Sequence, residues 1–471
     1  MAVAAGGRHT VAVCSDGSVF SFGLGSHGQL GYGGTEKRRT PTRMALLPPL
    51  SGPVRQVAAG ESHTGIVTDT GDLIMCGFGF YGQLGLGDDD SQTTPTLVPR
   101  TEFDDEAVLM VACAGNKTVV ATEGGAVYTF GSVWVDENDN EDDDENDHGE
   151  ENEEENLVPR RVPAAAFNGE RIVMVATGDW HTVALSEAGL VFTWGLGEDG
   201  QLGHNNEEVQ LAPQQVEPGR FGHGGRVVFV AAMRCQTVAV TPEGRLYTWG
   251  LGEHGQLGHG DNFNRLVPTQ VGGFGVSEGD GVIMAACGAL HTLVVTEDGG
   301  LWGSGFEVHG QFGFNDERNR YVFERVRDTM DPAFSGARVV AAAAGGLHSA
   351  ALTEDGTLWT WGNGWHGCLG HGDEERRFAP TRVPQDSFGA MRIGCCHLLP
   401  RKHAVAFAMG THGRLGATSN VRSLGGKVEL LRMIVWWCAT VLPGLAGGME
   451  GLMRLCGGFH AWKQRMAAAG Q

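Results

Sequence analysis

One pattern recurs along the whole chain and constrains it more than any other feature. Its clearest copy is Gly195-Leu196-Gly197-Glu198-Asp199-Gly200-Gln201-Leu202-Gly203. It returns at 23–31, 77–85, 250–258 and 362–370, in a weaker form at 305–313, where Glu307 replaces the second glycine, and in a shortened form at 410–416. Upstream of each copy lies a second signature, small-small-Gly-x-x-His-Thr/Ser. Its histidine position falls at His9, His63, Lys117, His181, Gln236, His291, His348 and His397, at spacings of 54, 54, 64, 55, 55, 57 and 49 residues. A fixed period of this length means one supersecondary unit packed on copies of itself.

Residues 226–271 show what the unit is. Val227 to Ala232 and Thr237 to Thr241 are short apolar runs rich in β-branched residues, and Arg245 to Gly250 alternates polar and apolar. Glu243-Gly244 supplies a turn, and Leu266 to Val271 follows the glycine-rich phrase. This reads as four short strands, with glycine at hairpin positions that need positive φ. Asp16-Gly17, Glu123-Gly124, Ala188-Gly189, Asp298-Gly299 and Asp355-Gly356 repeat the turn. A lone four-stranded sheet cannot bury both apolar faces, whereas a ring of sheets buries them and removes free ends. The expected fold is all-β: a seven-bladed β-propeller of four-stranded blades, with eight blades as the alternative.

The paired signatures resemble the repeats of the regulator of chromosome condensation family over residues 1 to about 416. The resemblance implies seven blades, with the half-repeat at 392–416 closing or overlapping the ring. It also implies guanine-nucleotide exchange on the small GTPase Ran as one activity to test. There an acidic residue directly precedes a repeat histidine. Here the preceding residues are Arg8, Ser62, Asn116, Trp180, Cys235, Leu290, Leu347 and Cys396, and the nearest acid, Asp179, is displaced by one. A plant photoreceptor of the family stacks tryptophans in the slot after the repeat glycine. The matching slots here are Gly7, Glu61, Gly115, Asp179, Arg234, Ala289, Gly346 and Cys395. None is tryptophan, so light sensing is not expected.

Composition narrows the field further. Glycine makes up 75 of 471 residues, which with β-branched runs between them signals turns rather than disorder. The 10 cysteines form no Cys-x-x-Cys pair, pointing to a reduced intracellular setting, cytoplasm or nucleus. No targeting segment is expected ahead of the first repeat, which begins at Met1. A formal charge of −22 argues against direct nucleic-acid binding. Fourteen of the twenty residues from Asp136 to Glu155 are acidic. They replace the glycine-rich phrase of the third repeat, so a disordered acidic loop is expected at 136–156, either solubilising or attracting a basic protein segment.

The repeat histidines His9, His63, His181, His291 and His348 are expected to be structural, since a ring of blades does not converge them on one ion. Gly28, Gly82, Gly200, Gly255, Gly310 and Gly367 are expected to be structural as well. Gly-x-Gly-x-x-Gly lacks the following helix of a dinucleotide site, and Cys395, Cys396, His397 and His403 are the one soft-ligand cluster. No catalytic residue, cofactor or metal is expected. The positions that break the internal consensus are assigned to a partner face: Lys117, Asp179, Trp180, Arg234 and Gln236. Domain limits are read as 1–418 for the propeller and 419–471 for a helical tail. That tail's apolar stretch is interrupted by Pro443 and is short for a membrane span. A monomeric interaction scaffold is the expected function, with a small-GTPase exchange factor as the alternative.

Overall fold

The computed structural model describes residues 3–45, 52–132, 157–222, 224–326 and 332–389. The acidic stretch 136–156, the half-repeat at 392–416 with its cysteines, the 418/419 boundary and the tail all lie outside these residues. Within them are seven antiparallel four-stranded sheets, each built from consecutive strands. The first blade comprises Val3–Ala5, His9–Val13, Val19–Gly23 and Arg38–Arg43. The others follow over 54–98, 108–161, 172–215, 229–270, 282–325 and 339–382. The seven-blade reading therefore holds. Blade one already owns four strands, so it needs none from the half-repeat.

The two sequence signatures are the two sides of one cross-strand pair. The histidine position opens the second strand, and the first glycine of the glycine-rich phrase ends the third. They face each other as His9 and Gly23, His63 and Gly77, Lys117 and Gly131, His181 and Gly195, Gln236 and Gly250, His291 and Gly305, and His348 and Gly362. The six glycines Gly28, Gly82, Gly200, Gly255, Gly310 and Gly367 all take φ between 76° and 85°. At Gly200, Gly255 and Gly310 a Cβ would strike the fourth strand of the next blade, and at Gly367 it would strike Arg39 of blade one.

Connections between blades carry a staple that the repeat phrases do not include. After blades two to seven the chain places a buried phenylalanine: Phe103, Phe167, Phe221, Phe274, Phe334 and Phe388. Each meets, edge to face, the third-strand aromatic of the next blade: Tyr128, Phe192, Tyr247, Trp302, Trp359 and Phe20. The last pair, Phe388 on Phe20 at 5.3 Å, joins blade seven to blade one in the same way as the five internal joints from blade two to blade seven. The ring is thus closed by side-chain packing and by loop backbone bonds, Gly346 N–H to the Gly6 carbonyl at 3.1 Å and Gly372 N–H to the Arg39 carbonyl at 2.8 Å, rather than by a shared sheet.

Antiparallel order sends the Gly-x-x-His turns and the glycine-rich loops to one face. The tight Asp-Gly type turns and the phenylalanine linkers lie on the other. The gap from Ser132 to Leu157, which brackets the acidic stretch, falls between the third and fourth strands of blade three. Its two ends therefore leave from the first of these faces.

Candidate functional site at the consensus breaks

The repeat histidines are occupied by the fold. His9 Nε2 lies 2.9 Å from Thr64 Oγ1, His63 3.0 Å from Thr118, His181 2.8 Å from Thr237, His291 3.0 Å from Ser349, and His348 2.9 Å from Thr10. Each bond crosses to the next blade, and the last crosses the ring seam. Every acceptor hydroxyl donates onward to a backbone carbonyl: Gln29, Gln83, Gln201, Gln311 or Cys368. The hydroxyl proton is therefore spent, and Nε2–H must donate to it. Burial keeps the rings neutral, pushing His9, His181 and His291 down to about 3 and His63 and His348 to about 4. Among the described residues no cluster of metal-ligating side chains forms.

The same imidazoles explain the glycine three residues upstream. At Gly6, Gly60, Gly178, Gly288 and Gly345 a Cβ would come within 2.6 Å of the Cε1 of its own blade's histidine ring. Where the histidine is replaced, the glycine goes too: Ala114 precedes Lys117, and Met233 precedes Gln236. The turn between them also changes hand. Among the seven turns only Gly115 (φ 48°) and Arg234 (φ 47°) take positive φ at the first turn residue. Glycine adopts that conformation freely; arginine does so at a cost of about 1 kcal/mol or more.

These breaks gather charge on one side of the loop face. Lys117 is 4% exposed, and its Nζ donates to the carbonyl of His181 at 3.0 Å. Burial lowers its pKa to about 7, against the pull of Asp179. Asp179, half-buried in the turn of blade four, is raised by burial, while Arg234 and Lys117 pull it down. Arg234 Nε stands 3.8 Å from its carboxylate. Beside it Trp180 is 42% exposed. Asp179, Trp180 and Arg234 thus form one surface cluster, floored by Lys117. Gln236 does not join it. It is 1% exposed, donates to the carbonyls of Gly288 and His291, and accepts at 3.1 Å from Thr292 Oγ1, the next-blade hydroxyl that a histidine contacts elsewhere. Lys117 and Gln236 therefore sit inside blade seams rather than at the surface, because both occupy the histidine slot.

The fold, the register and the repeat glycines agree with the outcome of comparing the chain with known proteins. A model of the RCC1-like domain matches residues 138–410. Models of the regulator of chromosome condensation (RCC1) repeat match 2–29, 16–67, 54–83 and 70–121. The chain belongs to the regulator of chromosome condensation repeat family. It is 32% identical over 382 residues to the ultraviolet-B receptor UVR8 of Arabidopsis thaliana, covering 81% of each chain. It is 28% identical over 402 residues to the secretion-regulating guanine nucleotide exchange factor of Bos taurus, covering 82% of each. Among solved structures, Prp20p of Saccharomyces cerevisiae superposes with a TM-score of 0.66 at 21% identity, covering 83% of this chain and 95% of that one, a likeness of fold.

Sequence reasoning passed over a second set of histidines just after the glycine-rich phrase. His204, His259 and His371 each place Nε2 2.9–3.0 Å from a third-strand threonine: Thr193, Thr248 and Thr360. It also passed over Trp365, 54% exposed at the tip of blade seven's loop. Tryptophan directly after Gly364, in a slot filled by Ser26, Phe80, Glu198, Glu253 and Val308 elsewhere, was the available signal.

Proposed function

We propose that the chain is a non-catalytic protein-interaction platform whose binding face carries the Gly-x-x-His turns and the glycine-rich loops. The observation that carries this reading is the cluster of Asp179, Trp180 and Arg234. The repeat residues are used up in holding blades together, while these three spend backbone strain and partial charge burial to present an aromatic ring and an ion pair at the surface. Loop variation on a rigid ring is how such a scaffold selects a partner. Ser132 and Leu157, the described residues that bracket the acidic sequence, lie at the same face, so a basic segment attracted to that sequence is brought to the face that carries the cluster. Triple substitution Asp179→Ala, Trp180→Ala and Arg234→Ala is expected to weaken binding of a native partner at least tenfold; full retention would overturn the assignment.

A second reading, exchange on a small GTPase, is favoured by the relative named as an exchange factor along most of its length. Exchange requires that the protein hold the nucleotide-free GTPase more tightly than the loaded one. Against it, Asp179 is turned to Arg234 and lies one position from the slot that carries the acid in the Ran exchange factor. Release of fluorescent GDP from a panel of small GTPases separates the two readings. The platform reading expects the spontaneous rate; acceleration by sub-stoichiometric protein would replace it with exchange.

A further inference from the structure

The same face carries a second sector, made by blades five, six, seven and one, whose chemistry differs from that of the Trp180 cluster. An aromatic row crosses the loop tips: His254 to Phe306 at 5.2 Å, Phe306 to His309 at 6.5 Å, and His309 to Trp365 at 6.0 Å. The row ends on the exposed indole of Trp365. The next residue, His366, has φ 63°. Its counterparts His27, Tyr81, Asp199, His254 and His309 are not among the positive-φ residues. Strain in a bulky residue at a loop tip persists only where surroundings impose it, and such positions cluster at ligand clamps.

Around that tip basic side chains gather, although the protein as a whole is strongly acidic. Lys37 and Arg39 share one carboxylate oxygen of Glu374, at 2.5 and 2.7 Å. Burial lowers the pKa of His366, and Arg8 and Lys37 lower it further; burial likewise lowers that of His309, with Arg376 adding to it. Arg8 and Arg376 are exposed and form no ion pair among the described residues. Arg377 already engages Asp373 and Glu375, and Arg38 engages Glu36. Glu317 lies near His309. Set against the five carboxylates Glu36, Glu317, Asp373, Glu374 and Glu375, the six cations leave an excess of one, and the two that form no ion pair among the described residues are Arg8 and Arg376, set beside a bare indole.

We propose that Trp365, His366, Arg8, Lys37 and Arg376 form a docking site for an acidic segment of a partner protein, with one apolar side chain of that segment seated on Trp365. Charge complementarity selects carboxylates, and an exposed tryptophan rimmed by arginine is the make-up of an interface anchor. The inference rests on the loop face being the binding face but adds a subsite with its own ligand chemistry.

The test uses the full chain and a fluorescein-labelled 12-residue peptide of alternating aspartate and leucine with glycine spacers, followed by anisotropy. Peptides with lysine or serine replacing aspartate are the controls. The aspartate peptide is expected to bind, to weaken with added salt, and to lose about tenfold affinity on Arg8→Glu with Arg376→Glu, and again on Trp365→Ala. All three side chains are exposed, and unchanged melting temperatures will confirm that the variants fold. Equal binding of the serine peptide, or indifference to these substitutions, would overturn the proposal. Indifference here with loss on Trp180→Ala and Arg234→Glu would refute this sector while keeping the face as a binding face.

Discussion

Glycine and histidine in the Gly-x-x-His signature are one unit, since the ring occupies the space that a Cβ three residues upstream would need. The chain tests this on itself, losing both residues together in blades three and five. Lys117→His alone should therefore cost about 1–3 kcal/mol, because the new ring meets Ala114. Adding Ala114→Gly should recover about 1 kcal/mol or more beyond additivity, measured by a double-mutant cycle in urea. Buried titrating groups set the pH response, with two opposing signs. The five repeat histidines stay neutral when folded, whereas unfolded rings gain protons below about 6.5. Stability is thus unaffected by them above pH 6.5. It falls as the pH drops toward 3–4, by about 1.4 kcal/mol per pH unit for each ring. Glu307 works the other way. It fills a glycine slot, is fully buried, accepts from the Phe312 N–H at 2.7 Å, and is pushed up to about 8 by burial. The fold keeps its proton up to pH 8 while the unfolded chain loses it above about 4.5, so its contribution declines as pH rises across that window. Glu307→Gln should raise stability at pH 8.5 by about 1–3 kcal/mol and do little at pH 5. A variant equally changed at both values would show that the carboxyl is ionised in the fold.

At the scale of the element, the linker phenylalanines make blades two to seven each depend on the next. Phe388→Ala should cost about 3–5 kcal/mol, as should Phe167→Ala at an internal joint. Equal losses in chemical denaturation are expected if the seam is an ordinary joint. A negligible loss at Phe388 alone would mean that blades seven and one are not packed together. Strands, turns and blade number were legible because every copy repeats the same alternation and turn glycines. The linkers were not, because their phenylalanine recurs with the repeat but the residues around it vary, a proline standing four positions before it only at Pro99, Pro163 and Pro384. The candidate site was legible in part. A break in consensus marked Asp179, Trp180 and Arg234 at the surface, but the same criterion selected Lys117 and Gln236, which replace a buried group by another buried group. Trp365 was missed because its loop keeps every glycine of the pattern, and only the three-dimensional arrangement brings Arg8 and Lys37 beside it.

For the whole molecule, closure is what turns seven marginal sheets into one rigid ring and fixes both surface sectors relative to each other. Removing free sheet faces at the seam is the energetic reason for a ring rather than an open stack. The bond from His348 to Thr10 spans that seam, while the bond from His9 to Thr64 is its counterpart inside the chain order. The most direct measurement is a pair of double-mutant cycles, His348→Ala with Thr10→Val and His9→Ala with Thr64→Val. A closed ring predicts the same coupling in both, about 1 kcal/mol. Coupling inside the chain order with none across the seam would contradict closure, and with it the placing of both sectors on one face.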